Sequence, residues 1–124
     1  MRTMGARANA ALARAFAALA DPTRCAVVEL LRTRPQRASD IAAALRLAPA
    51  GLSRHLRLLE RSGLVAADAV EHDARVRLYR LEPHAFATLS DWAGAMQHEW
   101  SEQLQAFKVH AERVPRAPMR RRKP

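Results

Sequence analysis

The chain has 124 residues, about half of them apolar, and a formal charge of +9. That length supports one domain with a modest core, and the apolar content excludes a wholly disordered chain. A single cysteine, Cys25, excludes an internal disulfide and a multi-cysteine metal site, and no apolar run approaches the length of a membrane span.

The first element is Ala-rich. Residues 8–19 carry Leu12, Phe16 and Leu19 at helical spacing, and alanine favours a helix there. Arg14 interrupts this stretch and no small-residue cleavage site follows, so a signal peptide is not expected, and the single cysteine fits a reducing cytoplasm, the expected location. Asp21-Pro22 then forms a helix start: Asp caps, and Pro fits the first helical position. Val27, Val28 and Leu31 give this second helix its buried face, and it should stop before Pro35.

Residues 39–64 read as a helix-turn-helix. Ile41, Ala42 and Leu45 mark one inward face; Leu52, Leu56 and Leu59 mark another. The break at Arg46-Leu47-Ala48-Pro49 is too short to separate domains, and Pro49 fits the first turn of a new helix. Ser53, Arg54, Arg57 and Arg61 face outward, an arrangement suited to a polyanion. Gly63 supplies the left-handed residue that ends this helix.

An extended segment begins at Leu64, and residues 75–81 alternate with the period of a strand. Val76 and Leu78 fall on one side, Arg77 and Tyr79 on the other, and the polar tip 71–74 joins the two strands. A hairpin directly after a helix-turn-helix is a wing. From Pro83 the helical period returns. Leu89, Ala93, Met96, Trp100, Leu104, Phe107, Ala111 and Val114 form one apolar stripe. A helix of about 25 residues is roughly 37 Å long, more than a core of this size covers, so the excess stripe calls for a symmetric dimer.

The charge is uneven. Residues 115–124 hold five basic residues and no acid, and Arg2 and Arg7 add two more, leaving a net of +2 for residues 8–114. Within that span, residues 46–61 carry four arginines against one glutamate, and residues 75–80 carry three arginines and no acid. The expected organisation is a domain at 8–114 followed by a basic disordered tail at 115–124, which either adds nonspecific affinity or only solubilises.

The run ALADPTR, then VVELL, SDIAAALRLAPAGLSRHLRLLERSGLV and RVRLYRL resembles the ArsR-type winged-helix transcriptional regulators over about residues 16–81. The long Trp-containing C-terminal helix resembles their metal-independent branch. The fold class is therefore mainly α with a β-hairpin wing: a winged helix-turn-helix with a long C-terminal dimerisation helix. The resemblance implies a homodimer with the first and last helices at the interface, a recognition helix at about 49–61 and a wing at about 65–81. It also implies repression of the protein's own operon, with release by a small signal in many members.

Some positions depart from the family pattern. The polar cap before the recognition helix is Ala48, which costs about 1 kcal/mol relative to Ser, and Pro49, Ala50 and Gly51 replace polar positions. Gly51 costs roughly another 1 kcal/mol inside a helix. Arg46 stands where the family tends to have Gly, which points to a strained turn. Direct base readout then falls on Ser53 and Arg54. Arg54 can grip a guanine edge or a phosphate, and Ser53 a base, a phosphate or solvent. His55 is a DNA contact or a packing histidine; Arg57 and Arg61 meet phosphates or solvent. Arg75 and Arg77 on the wing reach the backbone or minor groove. Arg80 is assigned a structural role and His72 a solvated loop. The dimerisation set is Phe16, Leu89, Trp92, Met96, Trp100, Leu104 and Phe107.

Metal sensing and catalysis find little in these residues. The family's thiolate site needs a Cys pair near 37–42, where there is none. Its C-terminal-helix site fails at Met96 and Arg113, although His98 and His110 lie nearby. Cys25 reads as a small buried apolar residue rather than a redox thiol. No paired carboxylates, phosphate-binding loop or nucleophile–base pair suggests an enzyme. The expected activity is that of a homodimeric, autoregulatory repressor on a double-stranded operator, without cofactor or membrane partner and with the effector open. The rivals are a ligand- or redox-gated sensor of the same fold and a winged-helix protein-interaction module without specific DNA binding.

Overall fold

The computed structural model describes residues 5–113. The order is α1 (Ala6–Leu19), α2 (Pro22–Leu31), β1 (Gln36–Arg37), α3 (Ala38–Leu45), α4 (Pro49–Arg61), β2 (Val65–Val70), β3 (Asp73–Leu81) and α5 (Pro83–Arg113). The described residues divide into two compact units, with the boundary after Ser90, inside α5. Val114 and the basic stretch 115–124 lie outside the described residues.

In the first unit, α1 buries Leu12, Ala15 and Ala18. Phe16, part of the apolar stripe expected there, is 42% exposed. Alanine at 15 and 18 presents the smaller side chains to the core and leaves Phe16 off the buried face. α2 starts as its sequence dictates. Asp21 Oδ2 accepts the Arg24 backbone N–H at 2.9 Å, and Pro22 occupies the first turn. The helix ends at Leu31, before Pro35.

α3 ends on Arg46, whose φ of 55° is left-handed. The N–H of Leu47 donates to the Ala42 carbonyl at 2.9 Å, closing the turn before Pro49 opens α4. Ala48 makes no side-chain cap to α4. Leu52, Leu56 and Leu59 are buried, as the spacing predicts. Val27, Ile41, Leu52, Leu59 and Leu64, from α2, α3, α4 and the segment after it, are all less than 2% exposed. Each such burial contributes about 1.5–3 kcal/mol, so the core fixes the angle of the helix-turn-helix.

The sheet has three antiparallel strands in the order β1-β3-β2. Gly63 (φ 82°) turns the chain out of α4, and Val65 pairs with Leu81. Tyr79 and Leu81 pack against the core, so this is the inward side of β3. β3 begins at Asp73, two residues before the alternation is visible, and the register slips between Ala69 and Val70. The third strand, β1, is an addition to the expected hairpin: Gln36 pairs with Tyr79 and Arg37 with Leu78. Gln36 is only 4% exposed, and its Nε2 donates to the Leu30 carbonyl at 2.8 Å.

The second unit is the continuation of α5, a helix of 31 residues in all. It is longer than the roughly 25 residues of the apolar stripe because it runs from Pro83, a turn and a half before the stripe begins at Leu89. No residue of α5 is fully buried. No helix among the described residues is long and apolar enough to cross a membrane.

Candidate nucleic-acid interface

Opposite its buried leucines, α4 exposes Ser53, Arg54, Arg57 and Arg61. The three arginines, with Leu58, line one shallow depression on the helix surface. None of the four makes an ion pair or a side-chain hydrogen bond with any described residue. Their charge is therefore presented to solvent on a helix whose orientation the core fixes.

His55 lies elsewhere. It is 25% exposed and faces the start of α2, with Nδ1 3.3 Å from Arg24 Nη1 and 3.9 Å from Asp21 Oδ2. The structure thus brings together Ser53, Arg54 and Arg57, while His55 packs on the flank of the same helix.

On the wing, Arg75 and Arg77 are exposed. Asp73 Oδ1 accepts the Arg75 backbone N–H at 3.0 Å and shapes the tip of the hairpin. Arg80 does not present its charge outward in the same way. Its Nε donates to Asp68 Oδ2 at 2.7 Å, and its Nη1 to Glu82 Oε2 at 3.4 Å. The Asp68 hydrogen bond and charge raise the Arg80 pKa further above its ordinary value. This pair staples β2 to β3.

The arrangement is a helical core with one arginine-bearing helix and, beside it, a hairpin whose second strand exposes Arg75 and Arg77. The model of the family described as bacterial regulatory protein, arsR family, matches residues 21–67, from the cap of α2 into β2. The crystal structure of an ArsR family transcriptional regulator is 30% identical, covers 82% of this chain and 97% of its own, and superposes with a TM-score of 0.67. The chain belongs to the ArsR family. An ArsR-like transcriptional regulator from Rhodococcus is 29% identical, covers 90% of this chain and 100% of its own, and has a TM-score of 0.75. A winged helix-turn-helix DNA-binding domain from Mycobacterium bovis is described as homodimeric. It is 26% identical, with a TM-score of 0.58, and covers 79% of this chain and 93% of that fragment. No curated protein sequence matches significantly.

As in the sequence reading, this ArsR-family chain has the winged helix-turn-helix fold of transcriptional regulators. One expectation is corrected: Cys25 is exposed, not buried. α2 turns Val27 and Leu31 to the core, and Cys25 falls on the flank, its Sγ donating to the Leu19 carbonyl at 2.8 Å. On α5, His98 pairs with Glu102 at 3.3 Å. No group of three or more His, Cys, Asp or Glu side chains able to hold a metal converges among the described residues.

The expected dimerisation residues divide by exposure. Trp100 is 62%, Leu104 49% and Phe107 70% exposed, whereas Trp92 and Met96 are half-buried. Leu89 packs against the core of its own chain. Sequence reasoning missed Arg37. It sits on a two-residue strand too short to show any period, and only the pairing with β3 reveals it.

Proposed function

We propose that this ArsR-family protein is a sequence-specific regulator of transcription that binds double-stranded operator DNA as a homodimer and represses its own gene. The observation that carries the reading is the outer face of α4. Ser53, Arg54 and Arg57 are exposed, and none pairs with a described residue, on a helix held by Leu52, Leu56 and Leu59. In a helix-turn-helix, such a second helix lies in the major groove. Arg54 and Ser53 read base edges there, Arg57 neutralises phosphate, and Arg75 and Arg77 hold the flanking backbone. His55 supports the helix from its flank. Dimerisation through α1 and α5 draws support from the exposed aromatic residues of α5 and from the homodimeric Mycobacterium bovis domain.

The test is an electrophoretic shift with DNA from upstream of the protein's own gene, competed by unrelated duplex. The specific duplex should compete at least a thousandfold better on the scale of operator-binding proteins, roughly 10³–10⁷ over nonspecific DNA. Equal competition would replace this reading with a winged-helix protein-interaction module.

A further inference from the structure

The short strand β1 sets Arg37 beside the wing. There Arg37, Ser39, Arg75, Arg77 and Tyr79 line one open notch of about 270 Å³ between the start of α3 and β3. Three arginines share this notch, and none makes an ion pair or side-chain hydrogen bond with a described residue. Asp40, the acid in the first turn of α3, does not line it. Converging like charges repel, and an anion between them relieves that repulsion. Ser39 adds a hydroxyl donor, as does Tyr79, and guanidinium groups match the oxygens of a phosphate in bidentate fashion.

We propose that this notch holds a backbone phosphate of the duplex, with Arg37 from β1 and Ser39 from the start of α3 gripping it while Arg77 closes from the wing. The proposal rests on the DNA-binding reading above. It adds a second anchor: base contacts come from α4, while the notch sets how far the protein can rotate about that helix. The occupant is a phosphodiester of the DNA rather than a free anion. The notch is open, and two of its arginines, Arg75 and Arg77, lie on β3 of the wing, the strand assigned above to the flanking backbone.

Binding of the upstream duplex and of unrelated duplex is measured against salt for the wild type, Arg37→Gln, Ser39→Ala and a control, Arg32→Gln. Arg32 is an exposed arginine paired with Glu29 outside the notch. Loss of one phosphate contact lowers the slope of log K against log salt by about 0.9. Arg37→Gln should show that drop on both duplexes alike, Ser39→Ala should weaken both without changing their ratio, and Arg32→Gln should show neither effect. An Arg37→Gln slope equal to the control's overturns the notch while leaving the DNA-binding reading intact. A loss confined to the upstream duplex overturns it too, because that marks a base contact. If the wild type binds neither duplex, both readings fall. Replacing chloride by inorganic phosphate at constant ionic strength separates the two sources of phosphate. A saturable fall of the wild type to the affinity of Arg37→Gln is expected, because the free anion competes with the phosphodiester for the notch; saturable phosphate binding that leaves duplex affinity unchanged assigns the notch to a free anion and overturns the DNA assignment.

Discussion

Arg24 Nη1 lies 3.3 Å from Nδ1 of His55, so one side chain of α2 touches the helix that carries the outward arginines. The same guanidinium donates through Nε to the Ala18 carbonyl at 2.6 Å and through Nη2 to the Ala17 carbonyl at 3.4 Å. Arginine only donates, so Nδ1 is the acceptor where this contact is a hydrogen bond. Arg24 thereby ties the end of α1, the start of α2 and the flank of α4 together. We predict that Arg24→Ala lowers stability by about 1–3 kcal/mol, since it strands several acceptors at once. Arg24→Lys should recover less than half of the loss, because an ammonium cannot reproduce the planar fork. Urea denaturation measures both; an unchanged midpoint for Arg24→Ala would show that the contacts do not support the fold.

Asp21 gives the same corner a dependence on pH. The Arg24 backbone N–H holds its carboxyl below the ordinary 3.8; burial opposes this, and the charge of Arg24 adds to it. A lowered pKa in the folded state means stabilisation that is present above about 3.8 and lost as pH falls through the lowered value. Asp21→Asn keeps a capping oxygen but cannot titrate. Urea midpoints followed from about pH 6 to about pH 2 should therefore fall more steeply for the wild type than for Asp21→Asn. Parallel curves would assign the acid sensitivity to other carboxylates.

These two residues also show how far a sequence reaches. Asp21-Pro22 is a local signal: cap chemistry and proline geometry act within one turn, so the start of α2 is legible. Leu52, Leu56 and Leu59 are legible because burial repeats with the helix. The partners of His55 are not, because Arg24 lies 31 residues away and only the packing of α2 on α4 joins them. β1 was hidden for a related reason. A two-residue strand has no period, and its pairing with Tyr79 and Leu78 is long-range. Cys25 departs from its expected burial because helical spacing alone leaves the edge of a buried stripe poorly defined. The notch inherits these limits, since Arg37 and Arg77 are far apart in the chain and meet through the sheet.

Arg46 holds a left-handed conformation that β-carbon-bearing residues adopt at a cost of about 1 kcal/mol. Its backbone N–H closes α3 by donating to Ala42 and Ala43 carbonyls, so the conformation is imposed by the turn. Arg46→Gly is expected to raise thermal stability, by at most about 1 kcal/mol because glycine also gains freedom in the unfolded chain. Arg46→Val should lower it. A destabilised glycine variant would mean that the arginine side chain contributes more than its backbone strain costs.

Arg54 and Arg57 are separated by one helical turn and should fail differently. We predict that Arg54→Ala loses about 1–3 kcal/mol on the upstream duplex and much less on unrelated DNA, the mark of a base contact. Arg57→Ala should weaken both duplexes equally and lower the salt slope by about 0.9. Binding isotherms at several salt concentrations decide the matter. Identical behaviour of the two variants would place Arg54 on phosphate as well.

Trp100, Leu104 and Phe107 recur at spacings of four and three on α5, and all three are exposed in the single chain. Burying such side chains contributes about 1.5–3 kcal/mol each, so a second copy of the helix is a strong partner for them. A glutamate at Leu104 would bring a charge into the middle of that contact, where desolvation without a partner is unfavourable by several kcal/mol. Leu104→Glu should therefore sediment as a monomer. Its helical circular dichroism should stay close to the wild type's, because Leu104 supports no buried core of its own chain. Loss of dimerisation should also lower operator affinity, since two recognition helices linked in one particle bind cooperatively to paired half-sites. A variant that stays dimeric with unchanged affinity would move the interface away from this stripe, leaving Trp100 and Phe107 to be explained by a different partner.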